Sequence, residues 1–207
     1  MSPRPRLDDD QQHAILDAAV AVIARRGLPH TRLTDVAAAV GRSTGTLQHY
    51  FGSHDGLVRA AILRLNAVSG ARAEAVAEAI EDPWERLTAL VDETLGVGEG
   101  WDAEWRVWLD FWSACSRDPE LAEETTAVYA VWRAAMRRAV QQGIDDGLFI
   151  ASAPVEEVVS ALLALIDGTA IHVLLGIGGL DHDKARAIAL RLAASYLRPT
   201  TPTGEPT

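Results

Sequence analysis

The chain has 207 residues, a formal net charge of −10, 48% hydrophobic residues and a single cysteine, Cys115. That composition fits a globular protein with a substantial core, and one cysteine excludes an internal disulfide and a multi-cysteine metal site. The charge is uneven: residues 1–60 hold seven arginines against six aspartates, and the remainder holds twelve basic against twenty-three acidic side chains. Four of the six histidines (His13, His30, His49 and His54) also fall in the first sixty residues. An N-terminal nucleic-acid face on an otherwise acidic body is the expectation. The N-terminus, with Arg4 and Arg6 set among prolines, does not read as a signal peptide. The longest apolar run, around residues 161–166, is interrupted by Asp167 and Gly168, so no membrane span and a cytoplasmic location are expected.

In chain order, residues 1–7 form an arginine-bearing arm broken by prolines. Ile15, Ala18, Ala19, Val22 and Ile23 repeat at helical spacing and predict a helix over about 10–26, ended by Gly27 and Pro29. A short helix is predicted over 33–40, with Val36, Ala37 and Val40 facing inward, and it stops at Gly41. Ser43 or Thr44 opens the next helix, which runs to Phe51 with Leu47 and Phe51 packing inward at i, i+4. Ser53 caps a long helix towards Ile80 that joins the N-terminal part to the body. Further helices are predicted over 84–95, 101–116, 119–146, 154–175 and 183–197, separated by proline and glycine punctuation. No segment alternates apolar and polar residues for long, so no sheet is expected. The fold class is all-α, with about nine helices. A three-helix DNA-binding domain is expected over residues 1–52 and a helical body over 53–198, with 53–80 the connecting helix. A disordered polar tail over 199–207 completes the division.

The stretch from Gly41 to His54 carries the sharpest signal. A left-handed glycine, a hydroxyl N-cap and a short helix make a helix-turn-helix. Thr44, Gly45, Gln48 and His49 are left outward on the second helix, small or hydrogen-bonding and without an acid, as a helix in a major groove requires. The same residues carry a resemblance. Thr34-Asp35-Val36-Ala37 through Gly41, then Ser43-Thr44-Gly45-Thr46-Leu47, His49-Tyr50-Phe51 and Leu57, resemble the DNA-binding domain of TetR-type transcriptional repressors. The run Ser-Thr-Gly-x-x-x-His-Tyr-Phe-Gly-x-x-x-Gly-Leu is similar to the BetI-type branch, known for answering to choline. In the body, Trp108-Leu109-Asp110-Phe111-Trp112, Asp118-Pro119-Glu120-Leu121, Gly147-Leu148-Phe149 and Leu165-Ile166-Asp167-Gly168 continue it. The resemblance implies that Thr44, Gly45, Gln48 and His49 meet base edges and that Thr46, Tyr50 and His54 meet phosphates. Arg32, Thr34, Arg42 and Ser43 flank them. One departure stands at His54, where the family usually has lysine. The resemblance also implies a homodimer through the last two helices. Their apolar residues on more than one face point the same way independently. Two reading helices about a two-fold would then address a palindromic operator.

Trp101, Trp105, Trp108 and Trp112 draw a stripe along one predicted helix, with Tyr129 and Trp132 on the next. The plain reading is a core stripe. The alternative is an aromatic cage beside Asp110 for a cationic quaternary amine, or a wall for a flat apolar compound. Candidate ligand residues are Trp105, Trp108, Trp112, Tyr129 and Trp132, with Thr169 and His172 as polar contacts. For Asp167, pairing across a dimer, capping a kink and facing the ligand all stay open. Nucleophile elbow, His-Glu metal motif and phosphate-binding glycine loop are all missing, so neither an enzyme nor a metal or cofactor site is expected. The expected function is a ligand-released repressor. The alternative is a helical scaffold that has lost sequence-specific DNA binding.

Overall fold

The computed structural model describes residues 7–96, 100–117 and 119–200. Residues 1–6, Asp118 and residues 201–207 figure in the expectations above but lie outside it. Nine α-helices occur among the described residues: α1 (Asp9–Arg26), α2 (Leu33–Ala39), α3 (Thr44–Phe51), α4 (His54–Ala79), α5 (Pro83–Leu95), α6 (Trp101–Cys115), α7 (Pro119–Asp145), α8 (Val155–Leu175) and α9 (His182–Tyr196). They divide into two compact units, one of residues Met1–Ser69 and Gly100–Thr125, the other of Gly70–Glu99 and Thr126–Thr207.

In the first unit, α1 starts where the Asp8 side chain accepts the Gln11 N–H, with Asp9 and Asp10 in its first turn and Arg25 and Arg26 in its last. Acid at the start and base at the end both suit the helix dipole. The helix ends at Gly27 with φ +82°. It packs its buried Ile15, Val22 and Ile23 against α2 and α6. Asp35 accepts the Arg32 N–H at 3.0 Å and pairs with Arg26 at 3.3 Å, fixing the start of α2. Val36 and Ala37 are buried as expected, and Val40 is half-buried. From α6 the Asp110 carboxylate accepts the Leu28 N–H at 2.7 Å, pinning the turn between α1 and α2.

In the second unit, Asp82 caps α5 by accepting the Glu85 N–H, and α5 packs on α8 and α9. Arg86 is buried and donates to the carbonyls of Ile80 and Glu81 and, at 2.6 Å, to the Gln142 side chain. Three polar pairs join α7 to α8 in antiparallel order: Tyr129 with Asp167 at 2.6 Å, Arg133 with Ser160 at 2.8 Å and Arg137 with Glu156 at 2.7 Å.

A two-stranded antiparallel ribbon corrects the expectation of no sheet. Strand β1 (Phe149–Ala151) pairs with β2 (Leu197–Pro199), placing Phe149 opposite Pro199 and Ala151 opposite Leu197. Pro199 and Thr200, expected to begin a loose tail, are held instead. Thr200 donates its N–H to the Leu148 carbonyl and its hydroxyl to that of Gly147. Strands of three residues are too short for alternation to show in a sequence.

The expectation on membrane spans also changes, because α8 is long and apolar enough to cross a membrane by length and composition. Asp167 does not interrupt it, since its carboxylate is taken up by Tyr129. One side of α8, with Val158, Val159, Leu162, Ile166 and Ala170, is buried within its own unit.

Candidate DNA-reading surface and ligand-binding residues

The reading helix is built as the sequence suggests. Gly41 has φ +62° and Gly52 φ +75°, so both ends turn through the left-handed region that glycine tolerates. Ser43 accepts the Thr46 N–H at 3.1 Å and caps α3. Leu47 is fully buried and Phe51 half-buried, which leaves Gly45, Gln48 and His49 exposed and Thr44 half-buried. Arg32, Thr34, Arg42 and Ser43 are exposed as well. Within α3 no acid stands on this surface.

Three of the proposed phosphate contacts also have partners inside the first unit. The Thr46 hydroxyl lies 2.8 Å from that of Ser43. The Tyr50 hydroxyl accepts the Leu7 N–H at 2.7 Å and keeps its own hydrogen to donate outward. His54 is more committed. Its Nε2 donates to the Thr31 carbonyl at 2.8 Å and its Nδ1 lies 2.8 Å from the Asp55 carboxylate. Both ring nitrogens are thus spent on the protein in this conformation, and the imidazole ties the start of α4 to the segment before α2. The carbonyl of Phe51 would stand 2.1 Å from a Cβ on Gly56, so that glycine sets how closely α4 follows α3. Nothing in the residue spacing had marked His54 or Gly56 for such roles.

The candidate ligand residues divide between the units. Trp105, Trp108 and Trp112 belong to the first; Tyr129, Trp132, Thr169 and His172 belong to the second. The tryptophans of α6 form a chain of ring contacts: Trp101 to Trp105 at 5.7 Å, Trp105 to Trp112 at 5.8 Å and Trp108 stacked on Trp112 at 6.5 Å. Trp101, Trp105 and Trp108 are buried, so this part of the stripe belongs to the core of its unit. Asp110, the acid expected beside a cage, is bound to the Leu28 N–H. Thr169 is buried and donates its hydroxyl to the Leu165 and Ile166 carbonyls of its own helix, while His172 is exposed.

Asp167 emerges as the unusual group. It is half-buried on α8 and accepts the Tyr129 hydroxyl. Burial pushes its carboxyl up to about 6, against a smaller downward pull from the tyrosine hydrogen bond. Burial and the neighbouring carboxylate also drive the Tyr129 hydroxyl far above its ordinary range. The pair lies 38 positions apart, too far for any local pattern to announce it.

A raised carboxyl means the folded chain holds the proton more tightly than the unfolded chain. Its stabilising contribution is complete below about pH 4, falls as pH rises through about 6, and is gone above that. The ionised group therefore costs stability at neutral pH. A rise of that size corresponds to roughly 3 kcal/mol, and partial solvation reduces this to about 1–2 kcal/mol. Asp167→Asn should raise the melting temperature at pH 7.5, and this gain should shrink towards pH 4.5. A gain equal at both pH values, or a loss at pH 7.5, would contradict the assignment.

Comparison with known proteins finds two family matches along the chain. Residues 15–61 match the family described as bacterial regulatory proteins, tetR family. Residues 83–198 match the BetI-type transcriptional repressor C-terminal domain. The HTH-type transcriptional regulator BetI of Burkholderia cenocepacia (strain HI2424) is 30% identical over 200 residues, covering 94% of this chain and 96% of its own. That of Stenotrophomonas maltophilia (strain R551-3) is 28% identical over 194 residues, covering 90% and 93%. Among solved structures, a putative transcriptional regulator from Saccharomonospora viridis in complex with choline superposes with a TM-score of 0.84 at 28% identity, over 92% of this chain and 98% of its own. FadR from Bacillus subtilis in complex with stearoyl-CoA superposes with a TM-score of 0.73 at 20% identity, over 90% and 98%, which shows the fold alone.

Proposed function

Because this chain belongs to the TetR family of transcriptional regulators, with a C-terminal domain of the BetI type, we propose that it is a homodimeric repressor released from a palindromic operator by a small molecule. Its relatives are regulators of transcription, not enzymes. The observation that carries the reading is the exposed, acid-free face of α3. In the proposed complex Thr44, Gly45, Gln48 and His49 approach base edges, and Thr46 and Tyr50 approach phosphates. Arg32, Thr34, Arg42 and Ser43 flank them, and His54 holds the reading head together rather than touching phosphate. The protein would work in the cytoplasm, where its operator is.

The dimer rests on the second side of α8. Ala164, Gly168 and Leu175 are exposed there, with Leu165 and Ile171 half-buried, and Leu175 is 57% exposed. An apolar stripe of that length, with small residues that let another helix approach, suits self-association about a two-fold through α8 and α9. The effector is a small molecule bound in the C-terminal domain. Choline, which the Saccharomonospora viridis regulator carries, is the first to test.

Selection from random duplexes, followed by footprinting, tests the reading. The expected product is a palindrome whose half-site centres lie about 34–36 Å apart or a multiple of it, bound with an affinity that falls steeply with salt. A chain that enriches no sequence and shows no salt dependence would be a scaffold, not a repressor.

A further inference from the structure

We propose that Asp110 and Thr31 are positioning residues for operator reading: with His54 they close the helix-turn-helix into a ring and pin that ring to α6. The inference rests on the reading of α3 as the helix that meets DNA. It assigns roles to two side chains that lie away from the exposed face of α3.

Hydrogen bonds within the first unit draw the ring. Thr31 ends the turn between α1 and α2, and its carbonyl accepts the Nε2 hydrogen of His54, 23 positions later, at 2.8 Å. Between those two residues lie α2, α3 and their joints, so this one bond closes the whole motif upon itself. Both ends of the reading helix are thereby referred to one point. Its start follows α2, whose first turn is held by Asp35 on the Arg32 N–H and the Arg26 side chain. Its end follows α4, which Gly56 lets approach the Phe51 carbonyl. Thr31 and His54 join the starts of α2 and α4.

The ring is also pinned. Thr31 is 5% exposed, and its hydroxyl donates to the Gly27 carbonyl at 2.9 Å. The His30 and Thr31 N–H groups return to the carbonyls of Gly27 and Leu28, so the turn is tied up as one piece. The Leu28 N–H opens that turn and has no partner within it. Asp110 takes it from α6 at 2.7 Å, a charge-assisted bond about twice as strong as a neutral one. Val107 and Phe111, three residues before and one after, are each 1% exposed, so close packing keeps Asp110 from following a displaced turn. Without the acceptor the turn can shift against α6, and the start of α2 shifts with it. Base edges are read only within the tolerance of a hydrogen bond, whereas attraction to phosphate acts over a longer range. The specific complex is therefore the one that suffers.

The test compares the selected operator with a random duplex of equal length, at a temperature where melting curves show every variant folded. Asp110→Ala should lower operator affinity by about tenfold or more and random-duplex affinity by less than about twofold. Alanine is the better helix former, so such a loss does not come from an unravelled α6. Asp110→Asn, whose side-chain oxygen can still accept the Leu28 N–H, should recover most of the affinity. Thr31→Val should lower the operator-to-random ratio by about threefold or more. His54→Ala should weaken the operator with its salt slope unchanged. Combined with Asp110→Ala, it should cost less than the two single losses together, because both act through one ring. An unchanged ratio in Asp110→Ala or Thr31→Val, or equal losses in Asp110→Ala and Asp110→Asn, would overturn the assignment. So would a salt slope reduced by about one in His54→Ala, the mark of a lost phosphate contact.

Hydrogen exchange of the DNA-free protein gives a readout that needs no operator. Amides of α2 and α3 should exchange about tenfold faster in Asp110→Ala, with those of α9 unchanged. Unaltered exchange in α2 and α3 overturns the ring. A chain that selects no operator but shows the faster exchange loses the repressor reading and keeps the pinned ring. A chain that selects one and keeps its full ratio in Asp110→Ala remains a repressor without the positioning residues.

Discussion

Gly143→Ala should destabilise the protein by about 3 kcal/mol, although alanine is the better helix former. In an exposed helix the exchange would gain up to about 1 kcal/mol. Here a Cβ on Gly143 would stand 1.8 Å from Cζ of Phe149 and 2.4 Å from both Cε atoms. Phe149 is 6% exposed and opens β1, so its ring must leave its place between the ribbon and α7. Overpacking alone costs about 1–3 kcal/mol, and complete loss of a phenylalanine's packing about 3–5 kcal/mol. Either outweighs the gain in propensity. At about 2–4 °C per kcal/mol for a chain of this size, the melting temperature should fall by roughly 6–12 °C. In a Phe149→Ala background the same glycine exchange should become neutral or stabilising, since the clash is gone. A higher melting temperature for Gly143→Ala alone would show that the ring does not rest on the glycine.

Gln48→Glu should abolish specific operator binding. The wild-type amide can both donate to and accept from an adenine edge, worth about 1–3 kcal/mol per contact. Two-fold symmetry doubles any loss. Gln48→Ala should therefore weaken the selected operator by about 2–6 kcal/mol and relax discrimination at one base pair in each half-site, with the salt slope unchanged. The glutamate keeps the shape but removes the donor and sets a negative charge among phosphates and acceptor edges. A further loss, to no measurable specific complex, is the expected result. Anisotropy titrations against the operator and its single-base variants decide it. Full discrimination at every position in Gln48→Ala would remove Gln48 from the reading set.

The helix-turn-helix was legible because its determinants are local. Gly41 and Gly52 supply left-handed turns, Ser43 caps, and Leu47 is buried one turn from Phe51, all within a dozen residues. The body's helices were legible from proline, glycine and apolar spacing, with ends within a residue or two. What stayed hidden depends on long-range encounters. Asp110 looked like a ligand's counter-ion because of its tryptophan neighbours, yet its partner is a backbone N–H 82 positions earlier. His54 looked like a phosphate ligand because of where it stands in the motif, and its ring turns back to Thr31. Asp167 was visible as an acid in an apolar helix, but the tyrosine that holds it comes from another helix. The ribbon joins segments nearly fifty residues apart through six residues in all, beneath any periodic signal.

The bond from the Leu7 N–H to Tyr50 fixes where the chain departs from the reading head. Leu7 is thereby held beside the reading helix. A polyhistidine purification handle fused there would hover over the duplex, contributing its own attraction for polyanions at mildly acidic pH. Equilibrium constants obtained with such a preparation would mix the operator's affinity with that of the handle. Cleaving the handle before titration removes the artefact.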